Sequence, residues 1–234
     1  IRTAPGTLGV LDGVTLNGAY EAGNGTANTT TQLANTLTNN GVLAMNSGIG
    51  GGLRTDLVLT NDVTLAGSGV LAMANSANNV ISGQTGGQRL TNSITHTIAG
   101  SGNIGAGVMA LTNLGLIVAN QATPLIIQPN AGGVINTGTL RADGGALDLR
   151  GLFTNNGGTI AATNGSVAQL ANATVVGGTL TTSGDGLIRT APGTLGVLDG
   201  VTLNGTYEAG SGASNTTTRL ANTLTNNGVL AMNS

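Results

Sequence analysis

The chain has 234 residues, 41 of them Gly, with 7% charged and 1% aromatic side chains and a net charge of -2. Its few basic residues are all Arg and form no stripe, which argues against nucleic acid as a partner. Low charge with 39% hydrophobic residues argues against ordinary disorder, and apolar runs such as Leu116–Ala119 are far short of the ~20 residues of a spanning helix.

In chain order, the first element is a stretch that returns. Ile1–Ser47 recurs at Ile188–Ser234, identical at all but five positions. The changes are Ala19 to Thr206, Asn24 to Ser211, Thr26 to Ala213, Ala27 to Ser214 and Gln32 to Arg219. The expected organisation is one complete unit over 1–187 and the start of the next tandem copy over 188–234. The first residue is Ile, which reads as an internal segment of a longer chain. The seam at Gly184–Ile188 carries no linker signal, so the coil is expected to continue across it. Pro5 and Pro192 read as loop or edge positions.

No window sustains a 3.6-residue apolar stripe, so no helix is expected. Short strands bounded by Gly and Asn run throughout. Leu37, the corner Asn40-Gly41, then Leu43 and Met45 alternate around a turn, and Asn-Gly takes positive φ cheaply. The phrase recurs at Asn113 and Gly115, at Gly138, at Asn156 and Gly157, at Gly178, at Gly205, and at Asn227 and Gly228. These residues are the candidate structural corners and ladder. From Gly115 onward the corner glycines, at Gly138, Gly158, Gly178, Gly205 and Gly228, keep a nearly even spacing, with a looser excursion upstream over Gly69–Gln88.

That spacing predicts an all-β fold, a right-handed parallel β-helix (β-solenoid) with about 20–25 residues per rung. Two or three buried aliphatic side chains per rung, each worth ~1.5–3 kcal/mol, would build its core. Asn at equivalent corners would stack into hydrogen-bonded ladders. With rungs ~4.8 Å apart, one unit would advance roughly 38 Å. A bead of β-sandwich per repeat is the alternative, but such sandwiches usually carry buried aromatics.

The run Ile94-Thr95-His96-Thr97-Ile98-Ala99-Gly100-Ser101-Gly102-Asn103-Ile104-Gly105-Ala106-Gly107-Val108-Met109-Ala110-Leu111-Thr112-Asn113-Leu114-Gly115-Leu116-Ile117 resembles the Gly- and Asn-punctuated pattern of large β-helical bacterial surface adhesins, of the filamentous-haemagglutinin and autotransporter-passenger kind. Thr38–Leu43 and Thr154–Ile160 are in the same style. The sequence departs in having Leu116 where Thr usually follows the Gly. The resemblance implies a secreted, surface or matrix role and brings no catalytic residues.

Motifs that suggest chemistry have plainer readings. Gly100–Gly105 matches G-x-G-x-x-G, but Gly107 follows closely and no acidic residue ends the next strand, so it reads as a turn. Gly50–Leu57 faintly resembles a calcium-binding roll, but its Asp is displaced and the motif does not recur, so it reads as a loop. Asp143 and Asp148, between Arg141 and Arg150, are the one carboxylate pair to weigh for glycan cleavage; an ion-pair set is the simpler reading. His96 is the only histidine and cannot assemble a metal site or triad alone. Tyr20-Glu21 and Tyr207-Glu208 recur with the repeat, either as an outer contact point or as a Tyr covering a loop. Thr29–Thr31 and Thr216–Thr218 raise ice binding, which needs Thr at one position in every rung.

The expected function is the shaft of a long extracellular fibre or adhesin, not an enzyme, with no cofactor and no metal. Expected partners are further copies of the repeat, with cell-surface or matrix glycans as candidate ligands; nucleic acid is not expected, nor a membrane in this segment. Glycan-binding or glycan-cleaving and ice-binding solenoids are the alternatives.

Overall fold

The computed structural model describes residues 1–47, 52–211 and 214–233. Among these there is no helix; strands pair in parallel and wind as a β-solenoid of about nine turns. Each turn has three strand segments on three sides.

The first side is a sheet of ten strands, from Ala19–Gly23 through Leu116–Ala119 and Thr179–Ser183 to Thr225–Asn226. A sheet of 17 strands wraps the other two sides. Several of its strands cover both by bending midway. Thr29–Asn39 shifts register between Leu33 and Asn35, and Ala146–Thr154 between Leu149 and Gly151. The bend residues Asn35 and Gly151 have φ of 60° and 86°. Asn tolerates this left-handed conformation better than most residues, and here the Asn35 amide is held by Asp12 and Asn61 of the neighbouring turns.

The turns differ in length. The shortest runs from Ile98 to Ile117 and the longest from Leu43 to Leu71. The range is wider than the sequence spacing predicts. The excursion over Gly69–Gln88 is built of regular rungs with longer corners: Val70–Met73 pairs with Val42–Met45, and Asn79–Gly83 with Thr55–Ala66. Regular pairing also runs across the repeat seam. Val167–Leu170 pairs with Leu187–Thr190, and Thr179–Leu180 with Thr202–Leu203.

Strand alternation puts every second side chain inside. In the turn that starts at Thr139, Leu140, Ala142, Leu147, Leu149 and Phe153 all point inward, five apolar side chains where two or three were expected. In-register stacking places like on like, so Ile117, Leu140, Ile160, Leu180 and Leu203 form one buried column. At ~1.5–3 kcal/mol per buried Leu or Ile, a narrow rod of aliphatics has a sufficient core without large aromatics.

Candidate functional site

The most organised polar feature is internal. It lies at the corner between the third and first sides, where the chain needs both a sharp turn and close approach of successive rungs. Gly41, Gly69, Gly115, Gly138, Gly158 and Gly178 follow one another there. The carbonyl of each accepts from the next turn, as in Thr139 N–H to Gly115 O at 2.8 Å and Thr159 N–H to Gly138 O at 2.9 Å. A Cβ on Gly41 would lie 2.0 Å from Gly18 O, and one on Gly138 2.2 Å from Gly115 O. The rungs approach too closely here for any side chain.

Beside this glycine column runs a ladder of buried amides. Asn92 Nδ2 donates to Asn113 Oδ1 at 2.8 Å, Asn113 Nδ2 to Asn136 Oδ1 at 2.7 Å, and Asn136 Nδ2 to Asn155 Oδ1 at 2.6 Å. Each Nδ2 also reaches a corner carbonyl: Asn113 that of Gly115, Asn136 that of Gly138, Asn155 that of Gly158. Every donor points the same way along the rod, so the bonds polarise one another.

His96 interrupts the glycine column and completes the ladder. Its carbonyl takes the place of the corner glycine's, accepting from Leu116 N–H at 3.3 Å. Leu65 precedes Asn92 in the stack, so the turn between Asn39 and Asn92 offers no ladder amide. The imidazole bridges that gap: Asn39 Nδ2 lies 3.1 Å from His96 Nε2, and His96 Nδ1 2.8 Å from Asn92 Oδ1. These partners assign the neutral Nδ1–H tautomer, because Nε2 faces a donor. Burial lowers the His96 pKa to about 4. The folded value lies below the unfolded one near 6.5, so this contribution is complete above pH ~6.5 and is lost as pH falls toward 4. A lowering of that size corresponds to roughly 3 kcal/mol at most. Urea unfolding at pH 7 and pH 5 is expected to show a loss between the two that His96→Gln abolishes; an equal loss in the variant would contradict the assignment.

Several expected corner residues lie beside these columns. Asn40, Asn156 and Asn227 are exposed, and Asn40 instead donates to Asn17 Oδ1 and Asn227 to Asn204 Oδ1. The ladder uses Asn39 and Asn155, one residue earlier. Gly157 has φ of 79° with open space around it, and the close approach falls on Gly158. Gly205 and Gly228 form the same close contact in the second copy, where a Cβ on Gly228 would lie 2.0 Å from Gly205 O.

Tyr20 and Tyr207 point inward, 7% and 0% exposed, so neither is an outer contact point. Tyr207 Oη bonds Thr190 Oγ1 at 2.8 Å, which bonds Thr218 Oγ1 at 2.6 Å. Tyr20, Thr3 and Thr31 repeat the triad. The ring fits because Gly196 is side-chain-free: a Cβ there would lie 2.4 Å from Thr190 Oγ1. Burial pushes the Tyr207 phenol up to about 12.

The two aspartates do not converge. Asp143 ends a first-side strand, where the Asn164 amide at 3.0 Å and then Thr163 and Arg141 lower its pKa. Asp148 lies on the second side, accepts from Gln169 at 2.7 Å, and Gln169 accepts from Arg189. The shallow groove beside them, about 300 Å³, is lined by Ala122, Gly144–Ala146 and Asn164–Val167 and contains neither acid.

Gly100 and Gly105 belong to two strands on adjacent sides, with Ser101 at the corner between them. In the calcium-like stretch, Gly50 and Gly51 lie outside the described residues; Thr55–Leu57 is strand rather than loop, and Asp56 is paired with Arg54 at 2.7 Å. No group of three or more metal-ligating side chains occurs among the described residues.

Register aligns a threonine column beside the corner glycines. Thr139, Thr159, Thr179, Thr202 and Thr225 stack on the first side, facing outward. The rank beside it holds Arg141, Ala161 and Thr181, so the column is one residue wide. Comparison with family models, with curated proteins and with solved structures finds no match.

Proposed function

We propose that this chain is a segment of the shaft of a long extracellular fibre or adhesin, built by stacking tandem copies of the unit that spans 1–187. The observation that supports it most is that the second copy stacks on the first without a break: Val167–Leu170 pairs with Leu187–Thr190, and Ala173–Val176 with Gly196–Asp199. The terminal turns leave Leu220 and Val10 exposed, whereas their equivalents inside the rod are covered, Leu33 buried and Val197 half-buried. The shallow groove beside Asp143 contains no acid, and continuous backbone pairing suits reach and stiffness.

Such ends are unpaired strand edges, which associate unless blunted. The isolated 234 residues are expected to form end-to-end oligomers that grow with concentration. Leu220→Lys with Val229→Lys is expected to return them to monomer in sedimentation runs. A parent chain that stays monodisperse at high concentration would contradict this. Placement outside the cell is tested by protease treatment of intact producing cells. Loss of the repeat's antibody signal is the expected result, and full protection would overturn the reading.

The single threonine column favours a second reading, an ice-binding face. A thermal-hysteresis measurement decides it: a clear freezing gap that Thr179→Leu removes would support it, and none would remove it.

A further inference from the structure

We infer that successive copies of the repeat are rotated about the rod by one side of the three-sided turn, so that a tandem array presents the same surface in three directions. This rests on the tandem-shaft reading and adds a phase to it.

The inward column of the first side counts the turns. Eight steps of register lead from Tyr20 through Leu43, Ile98 and Leu140 to Leu203. Tyr207, the equivalent of Tyr20, comes after Leu203, and it pairs with Ile188 on the second side. The second copy therefore starts eight turns and one side further on than the first. Other elements agree. Leu8–Asp12 pairs on the second side with Thr30–Ala34, in the stack that leads to Val167–Leu170, whereas its copy Leu195–Asp199 pairs on the third side with Ala173–Val176. Val42–Met45 belongs to the first side, and its copy Val229–Asn233 to the second.

The three corners must then be interchangeable for this sequence, and the structure shows the means. Asn35 bends the chain between the second and third sides with φ of 60°, and its copy Asn222 bends it between the third and first with φ of 52°. Each donates to the same equivalent acid, Asn35 to Asp12 and Asn222 to Asp199. The Tyr–Thr–Thr triad also travels intact. Contacts within a copy join turns one or two apart and are indifferent to which side they occupy. With rungs ~4.8 Å apart, one copy advances about 40 Å and a given patch returns to the same side after three copies, about 120 Å. A partner rod or surface that recognises one patch meets it from any direction around the shaft.

The outward column that begins with Leu8 and Thr30 ends at Asp148 and Gln169. Copies in phase would place Leu195, the equivalent of Leu8, on Gln169; the rotated arrangement places Arg189 there. The chain has no cysteine, and adjacent parallel strands lie within disulfide reach. Two double variants of the 234-residue chain decide the phase: Gln169→Cys with Arg189→Cys, and Gln169→Cys with Leu195→Cys. Mild oxidation is read by thiol titration and a non-reducing gel, with monomer isolated first. Closure of the first pair alone is expected. Closure of the second pair, or of neither, overturns the rotation. The test reads phase inside one chain, so its failure is separate from failure of the shaft reading, which falls on the protease experiment.

Discussion

Gly138→Ala is expected to destabilise the chain by about 3 kcal/mol or more. The added methyl would lie 2.2 Å from Gly115 O, a backbone atom held by its own bond to Thr139 N–H. Neither partner is the free end of a flexible side chain, so two rungs would have to separate. That separation would also stretch the neighbouring Asn113–Asn136 bond. The control is Gly87→Ala, where nothing lies within 4 Å and φ is not in the left-handed region; it is expected to stay within ~0.5 kcal/mol of the parent. Denaturant unfolding followed by far-ultraviolet circular dichroism compares the two. Equal effects would mean that the corners are not stacked as described.

Asn136→Ala is expected to cost about 2–4 kcal/mol, more than a typical single hydrogen bond. Asn136 accepts from Asn113 and donates to Asn155 and to the carbonyls of Gly138 and Thr159. Truncation leaves a buried donor on one neighbour and a buried acceptor on the other. It does so inside a rod where water does not reach: Asn113 Nδ2 keeps only its longer bonds to the Gly115 and Thr139 carbonyls, and Asn155 Oδ1 loses the Asn136 donor. Asn156→Ala, at the exposed neighbouring corner position, is expected to be near neutral. If unfolding gave the reverse order, the ladder would run through the exposed amides instead.

The parallel coil was legible because its causes are local and repetitive. Gly and Asn mark the corners, apolar residues alternate between them, and nothing in the chain favours helix. What escaped depends on register. The sequence offers Asn39 beside Asn40 and Asn155 beside Asn156, and only stacking decides which amide turns inward. Tyr20 recurs with the repeat, which reads as an outer contact point or a loop cover, but Gly9 and Thr3 make room for it inside. The role of His96 follows from an absence at Leu65 in another turn, which spacing along the chain does not report. Its one local sign is the corner Ser93–His96, longer than the Leu114-Gly115 corner of the next turn. The threonine column was within reach of the sequence, because Thr139, Thr159 and Thr179 directly follow the corner glycines Gly138, Gly158 and Gly178; register adds that Thr202 and Thr225 continue it.

The inward tyrosine also bears on how each copy begins. Each triad ties the start of a copy to the two turns that follow, Thr3 to Tyr20 and Thr31, Thr190 to Tyr207 and Thr218. Each triad lies within one copy; the seam itself is crossed by backbone pairing and by side chains, Arg189 Nε donating to Gln169 Oε1 and Thr194 Oγ1 to Leu170 O, and no hinge is needed between copies.

The central claim, that copies continue one another as a single unbroken coil, is tested most directly by small-angle X-ray scattering on chains carrying increasing numbers of the unit, each with a lysine-blunted end. The account predicts a constant cross-section and a length that grows by about 40 Å with each unit. A cross-section that grows, or a length that follows jointed beads, would contradict it.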